Sequence, residues 1–164
     1  MSKKKSEASV INIGLSDAQR EAIGAGLSGL LADSYSLFLM THNFHWNVIG
    51  PQFRSLHLMF EEQYTELFTG VDEIAERIRS LGVAAPGTFK QFESLASFAI
   101  PEEAMSAREM LLALVAAQEA VVRTARGLLP VADEANDQPT LDLLTRRMEI
   151  HEKNAWMLRA MTQD

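Results

Sequence analysis

Five side chains in this sequence are of types that hold a transition-metal ion: His45, His57, Glu61, Asp72 and Glu76. Imidazole nitrogen together with carboxylate oxygen suits iron, zinc or manganese rather than a metal that prefers thiolates. The last four fall in one helical stretch as two pairs spaced four apart, so the members of each pair share a helix face. At about 1.5 Å of rise per residue, His57 and Asp72 lie about 22 Å apart along that helix. One copy of the helix therefore cannot gather all four groups around one ion, but two copies can. If the helix packs antiparallel on itself across a two-fold axis near Glu66, His57 and Glu61 of one chain face Asp72 and Glu76 of the other. An isologous dimer then contains two equivalent centres. The step of eleven residues from Glu61 to Asp72 is close to three helical turns, which leaves both pairs on nearly one side.

The elements that must position these groups are legible in the apolar spacing. Ser16-Asp17-Ala18-Gln19 reads as a capping box, and Ile23, Leu27, Leu30, Ser34, Leu37, Thr41 and Phe44 alternate steps of four and three, which predicts an amphipathic helix over 17–47. Gly50-Pro51 breaks it, and Pro51 suits the first turn of a second helix, where its missing N–H costs nothing. That helix turns Phe53, Leu56, Phe60, Leu67, Val71, Ile74, Ile78 and Leu81 inward, ends at Gly82, and carries four of the five ligands. Pro86, Gly87 and Pro101 make the next stretch a long crossover, with a short helix expected over 92–98. A second capping box, Ser106-Ala107-Arg108-Glu109, opens a third helix that Pro130 is expected to kink or end. Asp137-Gln138-Pro139 starts a fourth, with Leu141, Leu144, Met148, His151, Ala155 and Leu158 inward.

The predicted fold class is all-α, a four-helix bundle whose long crossover lets the second and third helices run parallel. Residues 1–15 are expected to be a disordered amino-terminal tail and 16–164 a single domain. No strand, repeat or low-complexity tract is evident.

Composition narrows the function further. With 164 residues the chain can bury a core without staples. It has no cysteine, which excludes disulfides, thiolate zinc sites and thiol catalysis and fits a reducing compartment. Lys3, Lys4 and Lys5 are followed by polar residues instead of an apolar signal segment, and no apolar run approaches the roughly 18 residues that cross a bilayer, so a cytoplasmic protein is expected. The net charge is −7; without the three tail lysines, 12 Lys and Arg stand against 22 acids, or −10. Such a body attracts cations and repels nucleic acid, so any DNA contact must be local to Lys3, Lys4 and Lys5.

Singly, each candidate ligand has an ordinary reading. A lone histidine near an apolar face is usually a hydrogen-bonded structural residue, and Glu61 or Glu76 could be solvated helix surface. Taken together, two imidazoles and three carboxylates form a cluster matched nowhere else in the chain. Spacing alone supports a metal centre and a plain bundle about equally.

Thr41-His42-Asn43-Phe44-His45-Trp46-Asn47-Val48, Gly50-Pro51-Gln52-Phe53, Leu56-His57 and Asp72-Glu73-Ile74-Ala75-Glu76-Arg77 closely resemble the Dps family of ferritin-like mini-ferritins. His151-Glu152-Lys153 and Trp156-Met157-Leu158 match that family's last helix, so the resemblance covers nearly the whole chain from Ser16. It implies a ferritin-like four-helix bundle assembled as a dodecamer around a cavity. It also implies ferroxidase centres at the two-fold interfaces that oxidise ferrous iron, with a preference for hydrogen peroxide, and store ferric mineral, with zinc as a substitute metal.

By resemblance, His45, His57 and Glu61 come from one subunit and Asp72 and Glu76 from its partner. Relatives vary between aspartate and glutamate at the position of Glu61, which leaves its denticity open. Trp46 falls near the iron centre, where it could take an oxidising equivalent or simply pack, and His42 is a secondary ligand or a supporting residue. Asp133, Asp137 and Asp142 sit where relatives line a negative pore, although Asp137 serves equally as a helix N-cap. A conventional ferritin centre needs Glu-x-x-His. The residues three before His42, His45, His57 and His151 are Leu39, His42, Arg54 and Met148, so that centre is excluded. The competing functions are a DNA-compacting protein acting through the lysine tail, with avidity from many copies, and a structural bundle without redox activity.

Overall fold

The computed structural model describes residues 10–163; Lys3, Lys4 and Lys5 lie outside them. It contains α1 (Asp17–Asn47), α2 (Phe53–Ser80), α3 (Phe89–Leu95), α4 (Ala107–Glu134) and α5 (Gln138–Ala160), with no strand among the described residues. The fold is the expected all-α bundle. At α1 the Ser16 hydroxyl accepts from the Gln19 N–H while the Gln19 side chain accepts from the Ser16 N–H, so two otherwise unpaired donors are satisfied. Ser106 and Glu109 repeat the device at α4.

Three boundaries differ from expectation, each for a local reason. The short helix begins at Phe89 because Thr88 and Gln91 make a third capping box. Pro51 and Gln52 form a turn ahead of α2, following Gly50 at φ +115°, so Pro51 lies outside the helix. The third long helix passes through Pro130 to Glu134. The carbonyl that Pro130 leaves without an N–H donor is that of Arg126, and both residues are exposed, so water can satisfy it. Residues before Ser16 are also engaged, since Leu15 packs on the core and Ile11 lies against Gly82.

Cross-links fix the topology. Arg20 donates to the Leu81 carbonyl (2.8 Å) at one end of the α1–α2 pair, while His45 and His57 meet at the other, so the two helices are antiparallel. Gly26 lies against Leu128, and Thr124 donates to Asp33 (2.6 Å), which makes α4 antiparallel to α1 and parallel to α2. Arg108 at the start of α4 reaches the Thr162 carbonyl beyond α5. The crossover is pinned by the fully buried Asp33, which accepts from the Ser97 N–H (2.6 Å), the Ser97 hydroxyl (2.9 Å) and Thr124. A carboxylate removed from water needs this many donors. α1 does prove long and apolar enough to cross a bilayer, contrary to the sequence expectation, because residues 23–40 hold one charge, Asp33, among many Leu, Ile, Phe and Met. Its large side chains Ile23, Leu27, Leu30 and Leu37 are spent on the bundle core.

One polar layer crosses that core. Arg147, 2% exposed, pairs with Glu66 and donates to His151 Nε2 (3.0 Å). Arginine cannot accept, so His151 carries its proton on Nδ1 and donates to Gln118 (2.6 Å). The guanidinium has room because residue 70 is glycine; a Cβ there would overlap it. Burial, and then the charge of Arg147, push His151 down from 6.5 to about 3. The histidine is therefore neutral when folded but protonates below 6.5 when unfolded. Its contribution to stability is complete above that pH and lost as pH falls toward 3. Denaturant titrations at descending pH should show stability falling more steeply than in His151→Gln, by about 1.4 kcal/mol per pH unit. Equal slopes would contradict a neutral, buried His151.

Candidate metal centre

His45 lies in the last turn of α1 and His57 near the start of α2. The turn between them brings each imidazole onto the other's backbone: His45 Nδ1 lies 2.8 Å from the His57 carbonyl, and His57 Nδ1 lies 2.9 Å from the His45 carbonyl. Carbonyls only accept, so both Nδ1 atoms carry protons, and Nε2 is the nitrogen left on each ring to bind a metal. The rings stack with centroids 3.7 Å apart at 19°, and Phe53 stacks on His57 at 5.1 Å. The two imidazoles are thus held in one tautomer and orientation by the chain itself.

Along α2 the side chains Leu56, Phe60, Gln63, Leu67 and Ile74 are buried. The opposite stripe, Phe53, His57, Glu61, Thr65, Phe68, Asp72 and Glu76, runs in steps of four and three. Apart from the half-buried His57, every member of it is exposed. Phe68 is 68% exposed and Phe53 44%, so two large apolar side chains lie among the acids of this stripe in the single chain. Within one chain, His45 and His57 come together with Glu61 one turn on, while Asp72 and Glu76 lie further along the helix. Among the described residues no three His, Asp or Glu of a single chain cluster closely enough to hold an ion. Imidazole and carboxylate donors suit iron, and in the single chain the two histidines stand apart from Asp72 and Glu76.

Residues 24–164 match the ferritin-like domain family. The fold superposes on the Dps protein from Vibrio cholerae with a TM-score of 0.90 and 30% identity, covering 98% of this chain and 100% of that one. That protein is described as a member of a broad superfamily of ferritin-like diiron-carboxylate proteins. The chain belongs to the Dps family. DNA protection during starvation protein 2 of Bacillus anthracis is 40% identical over 134 residues, covering 82% of this Dps chain and 92% of that protein. A low temperature-induced protein of Nostoc is 45% identical over 157 residues, covering 93% and 87%.

The remaining candidates separate in this Dps chain. Asp133 and Asp142 are exposed, and Asp142 pairs with Arg146 one turn on. Asp137 is buried. It caps α5 through the Thr140 N–H (3.2 Å), accepts from the Thr140 hydroxyl (2.6 Å), and takes two bonds from Arg77 (2.7 and 2.8 Å). Burial acts to raise its carboxyl, but the bonds from Arg77 and Thr140 and the charge of Arg77 outweigh it and hold it below the ordinary range. Trp46 is 62% exposed, and its ring lies 4.0 Å from that of His42. Tyr64, which sequence reasoning passed over, meets His45 edge-on at 5.2 Å. Its spacing of seven from His57, two helical turns, was the available signal.

Proposed function

We propose that this chain is a ferroxidase that oxidises ferrous iron with hydrogen peroxide at centres shared between two copies. The ferric product is stored in a cytoplasmic dodecameric shell, which protects DNA from iron-driven oxidation. The observation that supports this best is the locked His45–His57 pair, presented on a stripe whose other ligands are too far away for the same chain to use. An axis between Glu66 and Leu67 sets His57 opposite the partner's Glu76, Glu61 opposite the partner's Asp72, and Thr65 opposite the partner's Phe68. Imidazoles hold the incoming ferrous ion, and carboxylates favour the harder ferric product. The acidic body draws cations toward the shell, and zinc can take the place of iron.

Ferrous iron added anaerobically to the assembled protein, followed by peroxide, should give prompt ferric absorbance well above that in buffer. No increase would leave a structural bundle as the better reading. The three consecutive lysines support a secondary contact with DNA phosphates, multiplied across the copies. That contact should retard DNA in a gel at low salt and fade as salt rises, and failure to retard at low salt would remove it.

A further inference from the structure

The polar layer in the bundle core, far from the His45–His57 pair, has the donors of a metal site with a cation already among them. Arg147 Nη2 lies 3.0 Å from Glu66 Oε2 and 3.0 Å from His151 Nε2, and Nη1 pairs with the other Glu66 oxygen. His151 donates its Nδ1–H to the Gln118 amide oxygen (2.6 Å), and such a bond is what aims the opposite ring nitrogen at an ion in metalloproteins. Gln118 donates in turn to Gln63 Oε1 at 3.4 Å, a long bond, while Gln63 Nε2 has no partner among the described residues. That amide can therefore turn its oxygen toward the layer at little cost. Carboxylate, imidazole and amide oxygen thus come together from facing helices, the way bundles build metal sites in their cores. Gln63, Gln118, Arg147 and His151 are all more than nine-tenths buried, and Glu66 is half-buried at the open end.

We propose that Arg147 occupies the place of a divalent cation in this layer and thereby confines ferrous iron to the centre shared between two chains. Only the identity of the excluded ion rests on the ferroxidase reading above. A guanidinium keeps its charge at every working pH, so Glu66 never lacks its partner. Being tethered to α5, it also gives up less freedom on pairing than an ion from solution does, and a free ion does not displace it. Gly70 supports the same arrangement, because a Cβ there would fill the guanidinium's space. With Arg147 cut back, Glu66 and His151 Nε2 are left facing one gap. The 3.0 Å contacts exceed a metal–ligand bond by about 1 Å, which the half-buried Glu66 can close by changing rotamer.

The test is cobalt binding by the assembled protein in a His57→Ala background, which weakens the shared centre. Arg147→Ala in that background should bind one more cobalt ion per chain than His57→Ala alone, with the visible spectrum of nitrogen-ligated cobalt. Adding Glu66→Ala should abolish the gain. Arg147→Lys, which keeps a tethered cation in the layer, should show no gain, whereas a role in packing alone predicts no cobalt in any of these variants. If Arg147→Ala does not fold unaided, cobalt present during refolding should restore the native far-ultraviolet spectrum, and no restoration overturns the proposal. A folded Arg147→Ala that takes up no extra cobalt overturns it too, as does a gain that survives Glu66→Ala or appears equally in Arg147→Lys. Ferric formation in the parent protein tests the ferroxidase reading separately, because none of these outcomes depends on oxidation.

Discussion

Replacing His57 with alanine should abolish the rapid phase of peroxide-driven iron oxidation while leaving the oligomer assembled. The substitution removes one Nε2 ligand directly. It also removes the ring that stacks on His45 at 3.7 Å, so the second imidazole loses the neighbour that fixes its plane. Loss of an outer-shell partner alone typically costs 10–100-fold in metal affinity or activity, so loss of a ligand together with such a support should cost more than about 100-fold. Folding should change little, because His57 is half-buried and makes no contact with the Arg147 layer, which places its stability cost within about 1 kcal/mol. Stopped-flow ferric absorbance and sedimentation read the two expectations separately. Retention of the fast phase would remove His57 from the centre.

Phe68→Glu should dissociate the dimer and abolish oxidation without touching a ligand. Phe68 is 68% exposed in the single chain, so the substitution costs the isolated fold almost nothing. Across the proposed axis it faces the partner's Thr65, and the new carboxylate would be buried among Glu61 and Asp72 of both stripes. Burying an unpaired charge beside like charges costs several kcal/mol at an interface. Sedimentation should show smaller species with an unchanged far-ultraviolet spectrum, and ferric formation should fall to the level in buffer. Phe68→Leu should assemble normally. If Phe68→Glu assembles and oxidises iron like the parent, α2 does not pair with its twin at this point.

Much of the architecture was readable because it depends on local rules. Helix α1 starts and stops where its capping box and apolar spacing place it, and the outward stripe of α2 that carries the candidate ligands follows from steps of four and three. Thr88 and Gln91 carried the same capping signal for α3, but the apolar run at 92–98 drew the expected helix three residues late. Other features depend on contacts between distant segments. Arg147 looks like surface on α5 until Gly70 supplies the space and Glu66 the counter-charge from α2. The tautomers of His45 and His57 are set by backbone carbonyls twelve residues away, which spacing cannot reveal. Asp137 was legible as a helix cap from Asp137-Gln138-Pro139, but its pairing with Arg77 sixty residues away was not. For Tyr64 the sequence offered only its spacing of seven from His57, and the packing of α1 on α2 is what puts its ring on His45.

The shared centre can be tested by mixing two inactive chains. His57→Ala and the double variant Asp72→Ala/Glu76→Ala should each fail to oxidise iron rapidly as homo-oligomers. After dissociation and reassembly together, every mixed dimer holds one centre broken twice and one built wholly from parent residues. With random pairing, about a quarter of all centres, and so about a quarter of the parent's fast ferric formation, should return. If the mixture reassembles but stays as inactive as either variant alone, the ligands belong to one chain and the two-chain centre is refuted.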